Sequence, residues 1–199
     1  MTTGERGAGV IELIDRILVS DLNDLAPVPE RHLLTVGTTA TGDQVRVPIY
    51  GNTVMICGAS GSGKSTLATA LLEQLASREY QFCLIDPEGD FSTLDSAIVL
   101  GDAQHAPSAA EMLDVLSHPK RNLVACLLGL PVDDRPPYFQ ELVSHLAALR
   151  GRVARPHWLV LDEAHHLWPA TCASLHAGGA GIPSRANGVP CVTGIFRRE

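Results

Sequence analysis

At 199 residues, 45% hydrophobic and 19% charged, the chain has room for one α/β domain and little for a second. Its net charge of −7 excludes a surface that grips nucleic acid everywhere, though not a local basic groove. The five cysteines form no C-x-x-C spacing, a pattern that fits a reducing cytoplasm better than a disulfide framework.

No apolar run approaches the ~18 residues of a membrane span. Glu5, Glu12 and Asp15 interrupt the region where a signal peptide needs an apolar core, so a soluble cytoplasmic protein without a membrane partner is expected. Val10, Ile11, Ile14, Ile17, Leu18 and Leu22 recur at helical spacing, predicting an amphipathic helix that ends before Pro27 and Pro29. Residues 1–30 are thus a helix and linker, able to dock on the domain or on a partner. A hairpin follows: Leu33 to Val36, a turn at Thr41 to Asp43, then Val45 to Ile49.

From there strand and helix alternate. Val54–Cys57 reads as a strand and Thr66–Arg78 as a helix with Leu67, Ala70, Leu71 and Leu75 on one face. Gln81–Asp86 and Ala97–Leu100 are strands. Ser108–Ser117 is a helix whose Ser108 and Glu111 make a capping box. Asn122–Leu127 is a strand, and Pro136–Arg150 is a helix turning Phe139, Leu142, Val143, Leu146 and Leu149 inward, with Asp133 and Asp134 as loop and cap. His157–Leu161 is a strand. Apolar strands separated by amphipathic helices predict an α/β fold with a mostly parallel sheet covered on both faces. Cys57, Cys83 and Cys126 lie in apolar runs, where a free thiol behaves as a small hydrophobe. Residues 170–199 are rich in Ala, Gly, Ser and Pro; only Val189–Phe196 offers another strand, so the segment reads as an irregular or incomplete end of the core at 31–169.

Three motifs carry chemistry. The first is Gly58-Ala59-Ser60-Gly61-Ser62-Gly63-Lys64-Ser65, continuing into Thr66. A G-x-x-x-x-G-K-S run between a strand and a helix is a phosphate-binding P-loop, or Walker A motif. Its glycines let successive N–H groups converge on an anion, and the helix N-terminus adds positive potential. Lys64 would reach the β- and γ-phosphates of ATP, and the Ser65 hydroxyl would hold Mg²⁺. A Gly/Ser-rich loop that merely contains a lysine is the plain alternative.

The second is Asp162-Glu163 at the end of the apolar strand His157–Leu161, the form of a Walker B motif. Asp162 can hold Mg²⁺ opposite Ser65, and Glu163 can polarise an attacking water; the alternative is a buried strand followed by an acidic helix start. The third is Asp86-Pro87-Glu88-Gly89-Asp90-Phe91, at the same edge of the expected sheet, which also reads as a solvated turn.

Together with Leu128-Gly129-Leu130-Pro131 and Asp162-Glu163-Ala164-His165 before His166-Leu167-Trp168-Pro169, these segments resemble the ATPase domain of the HerA–FtsK group of P-loop motors, the HerA branch above all. The resemblance covers residues 33–169. It implies a RecA-like core, Mg²⁺-dependent ATP hydrolysis with Glu163 as catalytic acid, assembly into a homo-oligomeric ring, and DNA as the common substrate. It also calls for a polar sensor on a further strand and an arginine reaching a neighbour's phosphate. Thr193, Arg197 and Arg198 sit in no convincing motif for either role, while Arg150, Arg152 and Arg155 suit a helix C-terminus. The resemblance of Asp162–His165 to an RNA-helicase signature is superficial, because no Ser-Ala-Thr triplet or second motor domain follows. His165, His166, Cys172 and His176 match no zinc spacing, and Trp158 and Trp168 suit packing better than base stacking. Two other functions remain open: a P-loop kinase, against which the paired acids count, and a truncated module that holds nucleotide without turnover.

Overall fold

The computed structural model describes residues 10–12, 14, 15, 28–51, 53–59 and 61–167, together with the backbone of 191–197. The chain divides into two compact units, Met1–Leu33 and Leu34–Glu199. In the first, residues 10–12, 14 and 15 are helical and Val10, Ile11 and Ile14 are exposed. Ile17, Leu18 and Leu22 of the expected helix lie outside the described residues. A 3₁₀ turn at Glu30–His32 leads into the second unit.

The second unit opens with the hairpin. Strands β1 (Leu33–Thr38) and β2 (Gln44–Pro48) form a two-stranded sheet. Its turn is closed by Thr39 N–H donating to Asp43 O at 2.8 Å and by Thr41 Oγ1 donating to the Asp43 carboxylate at 2.8 Å.

The main sheet has strands β3 (Ile56–Gly58), β4 (Phe82–Asp86), β5 (Ile98–Leu100), β6 (Leu123–Cys126), β7 (Trp158–Asp162) and β8 (Cys191–Arg197). Their spatial order is β3-β8-β7-β4-β6-β5, and each neighbouring pair runs parallel. All strands therefore point their carboxyl ends to one edge. The expected last strand is present as β8, inserted between β3 and β7 and slipping register by one residue between Val192 and Ile195. Residues 168–190, and with them Trp168, Cys172 and His176, lie outside the described residues.

Alternation along the strands divides the core into two layers. Phe82, Leu84, Trp158 and Val160 face helix α1 (Lys64–Ser77) and the hairpin. Cys83, Ile85, Leu159 and Leu161 face helices α2 (Ala109–Ser117) and α3 (Arg135–Val153). This is the expected parallel sheet with helices on both faces. Trp158 is fully buried and its indole N–H donates to Ile49 O at 3.1 Å, which pins the second hairpin strand to the sheet. The hairpin is pinned again by Gln74 of α1, whose amide both accepts from Thr35 N–H at 2.9 Å and donates to Thr35 O at 2.8 Å.

Three details differ from the sequence pattern. The buried stripe of α1 is Ala68, Leu71, Leu72 and Leu75, an i, i+3, i+4, i+7 set that leaves Ala70 exposed. Asp134 stands at the N-cap of α3 without a side-chain capping bond; Pro136 and Pro137, with φ preset, start the helix instead. Cys57 is exposed, because β3 is the outer strand in the sheet order. The capping box of α2 forms as expected, Ser108 Oγ accepting from Glu111 N–H at 3.3 Å and Glu111 Oε2 accepting from Ser108 N–H at 2.8 Å.

Candidate active site

Strand β3 delivers the chain into the glycine loop at the carboxyl edge. Gly58 has no side chain because a Cβ there would stand 2.5 Å from Ser62 Oγ. Gly63, at φ +87°, takes the left-handed turn that starts α1, a conformation costly for other residues. Lys64 follows at the first helical position and is only 8% exposed; its Nζ folds back to donate to Ala59 O at 3.0 Å. The ammonium thus caps a ring of loop backbone, with Ser62 N–H donating to Ala59 O across it at 3.2 Å. Ser65 and Thr66 are exposed on the opening turn of α1, whose N-terminal N–H groups face the same space. Gly61 and Ser62 are likewise exposed, and Ser60 lies outside the described residues. A lysine drawn over a tight glycine loop at a helix N-terminus is a cradle suited to phosphate.

The acids lie on the same edge. Ile85 of β4 pairs with Leu161 of β7, so Asp86 and Asp162, one residue on, leave the sheet side by side. Asp86 is fully buried. Its Oδ1 accepts from Gly89 N–H at 2.7 Å and Asp90 N–H at 3.3 Å, and its Oδ2 from Phe91 N–H at 2.9 Å. Burial pushes the Asp86 carboxyl up, against these three donors, which pull it down. Asp162 is 2% exposed; burial first, then the charges of Asp86, Glu163 and Asp90, push its carboxyl from 3.8 up to about 7. Two adjacent buried carboxyls of this kind raise the cost of each other's charge, which a bound cation would offset. That donor set fits Mg²⁺. One strand, β8, separates β3 from β7, so the glycine loop stands two strand spacings, about 10 Å, from Asp162 and three from Asp86.

The AAA domain family matches residues 50–177, more than half of the chain, from before the glycine loop to beyond the acid pair. The chain belongs to the AAA domain family. This is a family of P-loop NTPases, so the domain's chemistry is nucleotide binding and hydrolysis. No curated protein and no solved structure matches the chain.

Several further groups line this edge of the AAA domain. Glu163 takes the left-handed conformation at φ 42° and is 6% exposed; His165 Nδ1 lies 3.1 Å from its Oε2. His166 Nε2 lies 3.5 Å from Glu88 Oε1, and the two imidazoles face each other with centroids 4.2 Å apart. Burial first, then His165 and Arg135, lower the His166 pKa. The Leu128–Pro131 segment closes a turn, Leu130 N–H donating to Leu127 O at 3.0 Å, while Leu127 N–H donates to Asp86 O at 2.9 Å. Arg135, at the start of α3, is buried and donates through Nε to Leu130 O at 3.2 Å.

The Asp86–Phe91 segment is therefore no solvated turn: its first acid is a buried anchor that shares the site with Asp162. The pairing of His166 with Glu88 has no sequence signal, since it depends on β4 lying beside β7, whereas His165 meets Glu163 within one local turn. Arg150 and Arg152 end α3, the helix that returns to the amino end of β7, and Arg155 precedes that strand; these lie at the edge opposite the glycine loop. Among the described residues no helix is long and apolar enough to cross a membrane.

Proposed function

We propose that this AAA domain is a Mg²⁺-dependent ATP hydrolase of the HerA/FtsK-like motor type, acting on DNA as part of a homo-oligomeric ring. The observation that carries the hydrolase is the convergence, at one sheet edge, of the lysine-capped glycine loop with the buried Asp86–Asp162 pair and Glu163. The backbone of Gly58–Thr66 and the Lys64 ammonium hold the phosphates. Ser65 and Asp162 hold Mg²⁺, which when bound neutralises charge on the phosphate oxygens. Glu163 orients a water for in-line attack, one residue beyond the metal-holding acid and in a left-handed turn at the strand end. Positioning and fixed charge, rather than covalent chemistry, supply the acceleration. The motor branch is supported by the order and spacing of the four sequence segments, three of which (86–91, 128–131, 162–166) meet at this edge. Ring assembly and action on DNA rest on that sequence resemblance.

The test is steady-state ATP hydrolysis per protomer as protein concentration rises, with Mg²⁺, with and without DNA. A specific rate that climbs with concentration and with DNA is expected. Glu163→Gln should bind ATP and fail to turn it over, and Lys64→Ala should lose binding. A fully active Glu163→Gln protein, or label transferred from the γ-phosphate to a non-water acceptor, refutes the assignment.

A further inference from the structure

Glu163 is a buried acid on a left-handed turn, a conformation that a non-glycine residue keeps only when its surroundings hold it there. Its side chain has one long hydrocarbon stem and three torsions, so without a partner its carboxylate would sample several directions. His165 supplies one partner: its Nδ1 lies 3.1 Å from Oε2, within reach of a hydrogen bond when that nitrogen carries the proton. The two residues are joined by a 3₁₀ turn, Ala164–His166, in which His166 N–H donates to Glu163 O at 2.8 Å. The backbone therefore fixes where His165 stands relative to the acid it touches. His165 itself is braced from behind. Its ring lies against His166, and His166 reaches Glu88 on the loop anchored by Asp86. A continuous line of contacts, Glu163–His165–His166–Glu88, thus runs from the end of β7 to the loop after β4.

We propose that His165 is a positioning residue: it orients the Glu163 carboxylate for its work on the attacking water, with His166 and Glu88 bracing it against the 86–91 loop. This rests on the hydrolase assignment of Glu163 made above, and it adds a residue to that site whose part is to aim the acid rather than to touch nucleotide. The physical reason is that an acid which orients water is effective only while its oxygens point at one place. A misplacement of about 1 Å is enough to cost a large factor in rate. Groups that orient a working side chain through one hydrogen bond are worth on the order of 10–100-fold in activity.

The experiment compares wild type, His165→Ala, His165→Asn and Glu163→Gln as full chains. It measures kcat and KM for Mg²⁺-ATP hydrolysis and, separately, the Kd for ATP by calorimetry. His165→Ala should lower kcat on the order of tenfold to a hundredfold with Kd unchanged. His165→Asn, whose amide can donate from nearly the place of Nδ1, should recover part of that loss. A purely structural role would not separate kcat from Kd. Alongside, urea unfolding of Glu163→Ala, His165→Ala and the double variant forms a cycle that reads the contact without any turnover. Effects that fail to add support the pairing. A His165→Ala chain with kcat within twofold of wild type overturns the proposal, and so does an additive cycle. A wild-type chain that binds ATP and does not hydrolyse it refutes the hydrolase assignment instead, and the cycle then decides the pairing alone.

Discussion

Asp162→Asn should stabilise the metal-free protein at alkaline pH. In the folded chain the Asp162 carboxyl is pushed from 3.8 up to about 7, first by burial and then by the charge of Asp86 beside it. Between those two values the folded state keeps a proton that the unfolded state has released, so stability falls as pH rises through this window, and the whole cost is present above about 7. A gap of roughly three pH units, at about 1.4 kcal/mol per unit, makes about 4 kcal/mol. Asparagine has the same outline and no charge to desolvate, so this loss disappears. Its amide is less well matched to the site than a protonated carboxyl, which costs about 1 kcal/mol at every pH. The expected result is therefore a variant about as stable as wild type near pH 4.5, where about 1 kcal/mol of the loss is already present, and about 3 kcal/mol more stable at pH 8. Urea unfolding in EDTA, followed by the fluorescence of the buried Trp158, measures both curves. Wild-type and variant curves that run parallel from pH 4.5 to 8 would show that Asp162 is not held in a charge-averse site. Excess Mg²⁺ should raise the stability of wild type at pH 8 and leave the variant unmoved, because a cation that binds only the folded state stabilises it by mass action.

Two other substitutions separate the site from the scaffold. Gly58→Ala places a methyl 2.5 Å from Ser62 Oγ and 3.8 Å from Lys64 Cγ, crowding two side chains of the phosphate cradle, so the Kd for ATP should rise while the unfolding midpoint changes little. Unchanged affinity would mean that the loop does not hold the phosphates. Gln74→Ala removes both hydrogen bonds to Thr35 and should cost about 1–2 kcal/mol of unfolding free energy without altering ATP affinity. A loss of nucleotide binding there would contradict the separation of hairpin and site.

The glycine loop, the acid-ended strand and the alternation of apolar strands with amphipathic helices were all legible in the sequence, because each is a local pattern. Ser108 and Glu111 meet through three residues of helix, and the Gly58–Ser65 run is one continuous turn, so spacing alone specifies them. The buried stripe of α1 takes in Ala68 and Leu72 in place of Leu67 and Ala70, because alanines and leucines alternate along this helix and only packing in the layer with Leu84 and Trp158 tells which are covered. The exposure of Cys57 escaped for a similar reason: an apolar run says that a strand is buried somewhere, not that it lies at the end of the sheet order.

What the sequence by itself determined is thus the chemical vocabulary of this protein: a phosphate loop, a pair of terminal acids and a parallel α/β frame to carry them. What only the tertiary structure decided is which of these groups are neighbours. Asp86 and Asp162 are 76 positions apart in the chain and become one buried acid pair because β4 and β7 hydrogen-bond in register. Glu88 meets His166 for the same reason, and β8 stands between the glycine loop and the acids although it comes last. Strand order is set by the summed burial of two faces and the hydrogen bonding of every edge, a property of the whole sheet that no window of sequence contains.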